Sequence, residues 1–192
     1  MSRESAPPAS ASASASASAS ASAPAGREAA PRSIRIAPVR KSVTVETGAA
    51  HAFVVFTAGI DRWWPHDKGI GPGPIACSVI EPFVGGRWYA RHADGSEVTV
   101  GHVRVWEPDA RLVVGWEISA QWKPDARVEL ASEVEVRFIA ESPARTRVEL
   151  EHRDFERMGK ADGESMRGHV DGGWPGMLEC YAREAARNGS AP

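Results

Sequence analysis

The chain has 192 residues, with 23 basic and 25 acidic side chains and a formal net charge of −2. This balance argues against a nucleic-acid-binding protein and against attachment to an anionic membrane. Residues 1–33 contain no Leu, Ile, Val, Phe, Trp or Tyr. They cannot form a core, so they are predicted to be a disordered Ala/Ser-rich tail. Residues 34–192 are sufficient for one folded domain.

The sequence carries none of the common motifs of metal, nucleotide or nucleophilic catalytic sites. It has no zinc spacing, no P-loop, no dinucleotide fingerprint and no nucleophile elbow. We therefore predict no metal and no cofactor. No apolar run is long enough for a signal peptide or a membrane span, which predicts a cytoplasmic protein.

The first elements of the predicted domain are a strand and two helices. Imperfect alternation predicts a strand over residues 39–46, and apolar residues at helical spacing predict a helix that follows an N-cap at Thr47. A second short helix or turn over 60–64 ends at Pro65. Three glycines and two prolines in residues 66–74 predict a loop.

After this loop the apolar period changes to two, which predicts a run of strands. They cover residues 76–81, 86–92, 97–106, 111–119, 129–140 and 147–152. The turns between them are short, so the sheet is an antiparallel meander. One of its faces is apolar and the other charged, which indicates that one side is covered and the other faces water.

The last predicted element is a helix over about residues 164–187, with Trp174 and Met177 on its apolar stripe. Pro175 leaves two alternatives. Either the helix begins near Trp174 with the proline in its first turn, or a longer helix kinks at the proline. Gly172 and Gly173 would provide slack before the helix.

Several short sequence motifs support a family resemblance. They are Ala-Phe-x-x-Phe-Thr at 52–57, Trp-Trp-Pro at 63–65, Ile-Glu-Pro-x-Val-Gly-Gly-Arg-Trp at 80–88, Gly-x-Val at 101–103, Trp-Glu-Pro at 106–108, Arg-Leu-Val-Val-x-Trp at 111–116, Val-Glu-Leu-Glu-His-Arg-x-Phe at 148–155 and Gly-Gly-Trp-Pro at 172–175. Their order and spacing resemble the SRPBCC (START/Bet-v-1-like) superfamily, and within it the activator of Hsp-90 ATPase homologue-like family.

The resemblance implies an α+β helix-grip fold over residues 34–192. In that fold, a curved antiparallel sheet of about seven strands wraps around a long C-terminal helix. A sheet of this shape seldom fills its interior, so we expect a cavity for a small apolar ligand.

Five tryptophans are candidate ligand contacts. Trp88 and Trp116 alternate onto the apolar face of the sheet, and Trp174 lies on the helix stripe. Trp63 and Trp64 precede the loop where the resemblance places a cavity mouth. These indoles either fill a core or line an aromatic pocket.

Two further residues complete the predicted site. Met177 shares the helix stripe with Trp174. His152 alternates onto the apolar face, where it is either hydrogen-bonded within the core or provides a polar handle inside the cavity.

Three functions are compatible with these features. The first is a binding module for a small hydrophobic molecule, apolar or aromatic, which the absence of a catalytic motif favours. The second is an Hsp-90 co-chaperone-like ATPase regulator, whose partner would be a chaperone. The third is an aromatic polyketide cyclase-like enzyme that uses His152. The sequence does not predict an oligomeric state.

Overall fold

The computed structural model describes residues 35–188, so the disordered tail predicted over residues 1–33 lies outside the described residues. The helices and strands in chain order are β1 Val39–Val45, α1 Ala49–Phe56, α2 Ile60–Trp63, β2 Ile75–Ile80, β3 Arg87–His92, β4 Glu97–Glu107, β5 Arg111–Trp116, β6 Ser132–Ser142, β7 Arg145–Arg153 and α3 Lys160–Asn188. Short 3-10 turns lie at His66–Lys68, Val128–Leu130 and Phe155–Met158.

The seven strands form one antiparallel sheet with the order β1-β7-β6-β5-β4-β3-β2. Strands β2 to β7 follow one another as a meander, and β1 pairs with β7 from Val39 opposite His152 to Val45 opposite Thr146. Helix α3 packs on the concave face, together with α1 and α2. The predicted helix-grip fold is confirmed.

Strand β4 contains two irregularities that bend the sheet. Its register shifts against β3 between Trp88 and Tyr89, and against β5 between Val103 and Val105. Such irregularities bend a strand and increase its twist. Gly101 of β4 also approaches β5 so closely that a Cβ there would collide with the carbonyl oxygen of Gly115. The glycine therefore allows the sheet to curl around α3.

The outer face of the sheet is covered by ion pairs rather than by another layer. Arg153 of β7 pairs with Glu133 and Glu135 of β6, and Arg104 of β4 reaches Glu133 at 3.0 Å. Glu135 is buried, which raises its pKa, but Arg153, Arg137 and Arg111 more than offset this and hold the pKa below its ordinary value. The predicted division into an apolar and a charged face is thus observed.

Two predicted helix starts are wrong. Helix α1 is capped at Gly48 rather than at the predicted Thr47, and no side chain caps it. Thr47 lies before the cap, where its carbonyl accepts a hydrogen bond from Thr146 Oγ1 of β7 at 2.7 Å. Helix α3 begins at Lys160 and continues through Pro175. Of the two alternatives for Pro175, the longer helix is observed. Gly172 and Gly173 lie inside it and do not provide slack before it.

Candidate functional site

Helices α1 and α2 pack against one end of the concave face through a cluster of aromatic rings. Phe53, Phe56, Trp63, Phe138 and Tyr181 meet there with ring centroids 5.0–5.7 Å apart. The indole Nε1 of Trp63 donates to the carbonyl of Val55 at 3.0 Å, and the hydroxyl of Tyr181 donates to the carbonyl of Ala52 at 3.0 Å. We call this cluster the solid end. Trp63, predicted as a ligand contact, is part of it.

The other end of the concave face contains a pocket of about 290 Å³. Four indoles form its wall: Trp64, Trp88, Trp116 and Trp174. Each contacts the next edge to face, at centroid distances of 4.9, 5.8, 6.1 and 6.3 Å, so that the four contacts close a cycle. Edge-to-face contact is the favoured geometry for such rings and holds each plane in place. We call this region the hollow end.

Helix α3 contributes one side of the pocket and part of its mouth. Val170, Trp174 and Met177 line the pocket from the helix, whereas Gly172, Gly173 and Gly176 lie at the exposed rim. A Cβ added at any of these three glycines would meet no atom within 4 Å. Close packing therefore does not require glycine here, although glycine inside a helix costs about 1 kcal/mol relative to alanine. The lack of side chains keeps the mouth open.

Trp122 also lines the pocket, from the loop between β5 and β6. It is 43% exposed, and its ring is tilted against His169 of α3 at 5.9 Å. Its backbone φ is +58°, a left-handed conformation that is unfavourable for a bulky side chain. Sequence analysis assigned no role to this residue, and only its position as an isolated tryptophan in a polar loop could have drawn attention to it.

His152 is fully buried behind the pocket wall and does not line the pocket. Its Nδ1 accepts a hydrogen bond from Trp174 Nε1 at 3.2 Å, and its Nε2 lies 2.8 Å from Ser132 Oγ. Because the indole can only donate, the imidazole proton is on Nε2 and is donated to Ser132. Burial lowers the pKa of His152 to about 3. The histidine is therefore neutral, and its contacts fix the orientation of Trp174.

Two buried polar atoms near the pocket have no hydrogen-bond partner among residues 35–188: the hydroxyl of Ser78 and the indole nitrogen of Trp116. Both residues line the pocket and are about 4% exposed. Trp116 also borders a second cavity of about 50 Å³ near Glu117 and Met158. Sequence reasoning missed Ser78, since a serine on an alternating strand carries no distinctive signal.

Of the seven predicted ligand contacts, five line the pocket: Trp64, Trp88, Trp116, Trp174 and Met177. Trp63 lies in the solid end and His152 lies behind Trp174, so neither reaches the cavity. The structure thus brings most of the predicted set together, while contact with a ligand stays a prediction.

Among residues 35–188, no three His, Cys, Asp or Glu side chains gather closely enough to hold a metal ion. The same span includes no helix with the length and apolar character needed to cross a membrane.

Comparison with known proteins identifies the family. The family model described as activator of Hsp90 ATPase homolog 1-like protein matches residues 47–180. The chain belongs to this family. The predicted SRPBCC membership is confirmed. A comparison with curated proteins found no match.

Comparison with solved structures also found similar chains. The anthrahydroquino-γ-pyrone synthase Txn09 is 36% identical, with 78% of this chain and 97% of that chain covered and a TM-score of 0.56. The self-sacrificing resistance protein CalC from Micromonospora echinospora is 31% identical, with 81% and 97% covered and a TM-score of 0.60. Protein MLL2253 from Mesorhizobium loti, 19% identical with 79% and 98% covered and a TM-score of 0.58, supports the fold alone.

Proposed function

We propose that the protein binds a small planar aromatic molecule in the pocket at the hollow end. The observation that carries this proposal is the closed cycle of four edge-to-face indoles that forms one wall of an open volume of about 290 Å³. This volume is at the lower end of the about 300–1,000 Å³ typical of ligand pockets and suits a ligand of roughly two to three fused rings. Indole faces and edges favour flat aromatic surfaces over flexible chains.

The comparison with Txn09 supports the same ligand class. That protein is named for a product that contains fused aromatic rings, and it is 36% identical to this chain over almost its whole length. A ligand of similar shape would fit a pocket whose lining includes the exposed glycines of α3 and Trp122.

Isothermal titration with a three-ring probe, 1,8-dihydroxyanthraquinone, tests this proposal. We expect the wild type to bind, and Gly173→Trp to lose at least about tenfold in affinity because the new indole would cover the mouth. Gly168→Trp is the matched control, since Gly168 lies exposed on the same helix, outside the pocket, with equally open surroundings. No binding by the wild type, or equal affinity in both variants, would reject the proposal.

A second candidate is a ring-closing enzyme, which the synthase named among the relatives favours. His152 does not line the pocket, so it is not placed to move a ligand's proton. Besides the indoles, the polar side chains that line the pocket are Ser78 and His169. Incubation with a phenol that carries a β-diketone chain, followed by mass spectrometry, tests for cyclisation with loss of water. A reaction no faster than in buffer would remove this candidate.

The Hsp-90 regulator alternative is supported by the family description and by no feature of the pocket. A chaperone ATPase assay with and without this protein decides it, and an unchanged rate would reject it.

A further inference from the structure

Ser78 is an unusual residue in the wall of the pocket. It lies on β2, opposite Ala90 of β3, and its side chain shares the concave face with Ile80 and Trp88. Apart from indole nitrogens and the exposed His169 at the rim, it carries the only polar side chain among the described residues that line the pocket. A hydroxyl group is therefore set into an otherwise apolar surface.

The protein leaves this hydroxyl unsatisfied. Ser78 is 4% exposed, and its Oγ has no hydrogen-bond partner among residues 35–188. The backbone N–H of the same residue is already paired with Asp61 Oδ1 at 2.8 Å, which fixes β2 against α2 at this point. The strand thus holds the side chain in position while its oxygen lacks a partner.

Local stability does not account for a serine at this position. A buried polar group without a partner is destabilising, and alanine would match the apolar neighbours and remove the unpaired oxygen. A water molecule in an apolar cavity is also poorly held, because it needs several polar partners and this wall provides few. A hydrogen-bonding group on a bound molecule would satisfy the hydroxyl.

We infer that Ser78 is the polar anchor of the pocket and that the ligand is a planar aromatic molecule bearing a hydroxyl or carbonyl oxygen. The ring lies against the indoles, and its oxygen exchanges a hydrogen bond with Ser78 Oγ. Ser78 thereby selects oxygenated rings over hydrocarbon rings of the same shape. This inference rests on the proposed function, because it concerns the same pocket.

Matched ligand pairs isolate the hydrogen bond. The probes are 1- and 2-naphthol, compared with 1- and 2-methylnaphthalene, which carry a methyl group in place of the hydroxyl. Isothermal titration of the wild type should show tighter binding of at least one naphthol than of its methyl partner. Ser78→Ala should weaken the binding of that naphthol by about threefold to tenfold. The binding of the methylnaphthalenes should be unchanged or slightly tighter.

Two further variants separate anchoring from a structural role. Ser78→Thr retains the hydroxyl and should keep the preference for the naphthol. Ser42→Ala, on the exposed side of β1, should change nothing. The unliganded Ser78→Ala protein should melt at the same temperature as the wild type or higher, because the substitution removes an unpaired oxygen.

The outcomes distinguish this inference from the proposed function. If the wild type binds both members of each pair equally and Ser78→Ala alters neither affinity, Ser78 is not the anchor. The proposal of an aromatic pocket then still stands. If Ser78→Ala weakens both members equally and lowers the melting temperature, Ser78 is structural and the inference is likewise overturned. If the wild type binds neither the naphthols nor the methylnaphthalenes, nor the three-ring probe, both proposals fall.

Discussion

The solid end and the hollow end of the concave face are both aromatic, yet α3 presents different surfaces to them. Against the solid end it places Leu178, Tyr181 and Ala185, all buried. At the hollow end its rim positions are Gly172 and Gly173, one turn before Gly176. The same helix therefore closes one half of the sheet and leaves the other half open.

The two ends also differ in how their polar atoms are satisfied. In the solid end, the indole of Trp63 and the hydroxyl of Tyr181 each donate to a backbone carbonyl, and burial raises the pKa of Tyr181. In the hollow end, the hydroxyl of Ser78 and the indole nitrogen of Trp116 have no partner among the described residues. Hydrogen-bonded polar atoms are typical of a core, whereas each buried polar group without a partner needs an explanation of its own, which a bound molecule would provide in the pocket.

The largest effect should come from breaking the solid end. Trp63→Ala removes an indole that packs on Phe56 and Tyr181, and should lower the free energy of unfolding by about 3–5 kcal/mol. Urea unfolding measures this. Trp122→Ala is the comparison at the exposed rim and should cost less than about 1 kcal/mol. Equal losses would mean that the two ends are not built differently.

Lowering the pH should destabilise the protein through His152, which lies behind the pocket wall at the hollow end. His152 has its pKa lowered from 6.5 to about 3 by burial, so between these values the unfolded chain binds one more proton than the folded chain. Its stabilising contribution is complete above pH 6.5 and is lost as the pH falls, at up to about 1.4 kcal/mol per pH unit.

The control for this prediction is His152→Gln, which cannot be protonated. It should be less stable than the wild type near pH 7, because the hydrogen bonds to Trp174 and Ser132 are disturbed, but its stability should fall less steeply with acid. Unfolding curves between pH 7 and pH 4 compare the two slopes. Equal slopes would show that His152 is protonated in the folded protein.

The glycines of α3 provide a smaller test that separates stability from binding. Gly173→Ala and Gly168→Ala each introduce a better helix former where a Cβ meets no atom, so each should raise the free energy of unfolding by up to about 1 kcal/mol. Only Gly173→Ala should weaken the binding of the three-ring probe, as measured by titration. If both variants bind as the wild type does, the rim glycines do not serve the pocket.

The smallest expected effect on stability is at Trp122. Trp122→Gly removes the ring but supplies the residue that best tolerates a φ of +58°, so stability should change by less than about 1 kcal/mol in either direction. Affinity for the three-ring probe should fall about threefold or more, because one side of the mouth is lost. Unchanged affinity would show that Trp122 does not contact the ligand.

Sequence patterns predicted the fold well, because the fold depends on the period of the apolar residues and on the order of the helices and strands. Alternation placed Trp88, Trp116 and His152 on the correct face of the sheet. Alternation cannot tell which of these side chains is covered by another element. Phe155 and Trp174 pack over His152, with Phe155 4.6 Å from its ring, and only the tertiary structure reveals this.

Sequence patterns also could not predict which environment each of two neighbouring residues at the end of a short helix would enter. Trp63 and Trp64 differ by one position, yet the last turn of α2 directs one into the solid end and the other into the pocket wall. Pro175 inside α3 was equally ambiguous, since a proline fits both the first turn and a tolerated interior position. Ser78 acquires its significance only from the lack of a partner in the folded protein.

Ligand binding at the hollow end can be followed at each tryptophan, by recording the seven indole N–H signals in ¹⁵N–¹H NMR while the three-ring probe is titrated. We expect the signals of Trp64, Trp88, Trp116, Trp122 and Trp174 to shift. Those of Trp63 and Trp106, which pack around Phe56 and Phe53, should stay in place. Shifts confined to Trp63 and Trp106, or no shift at any indole, would contradict ligand binding at the hollow end.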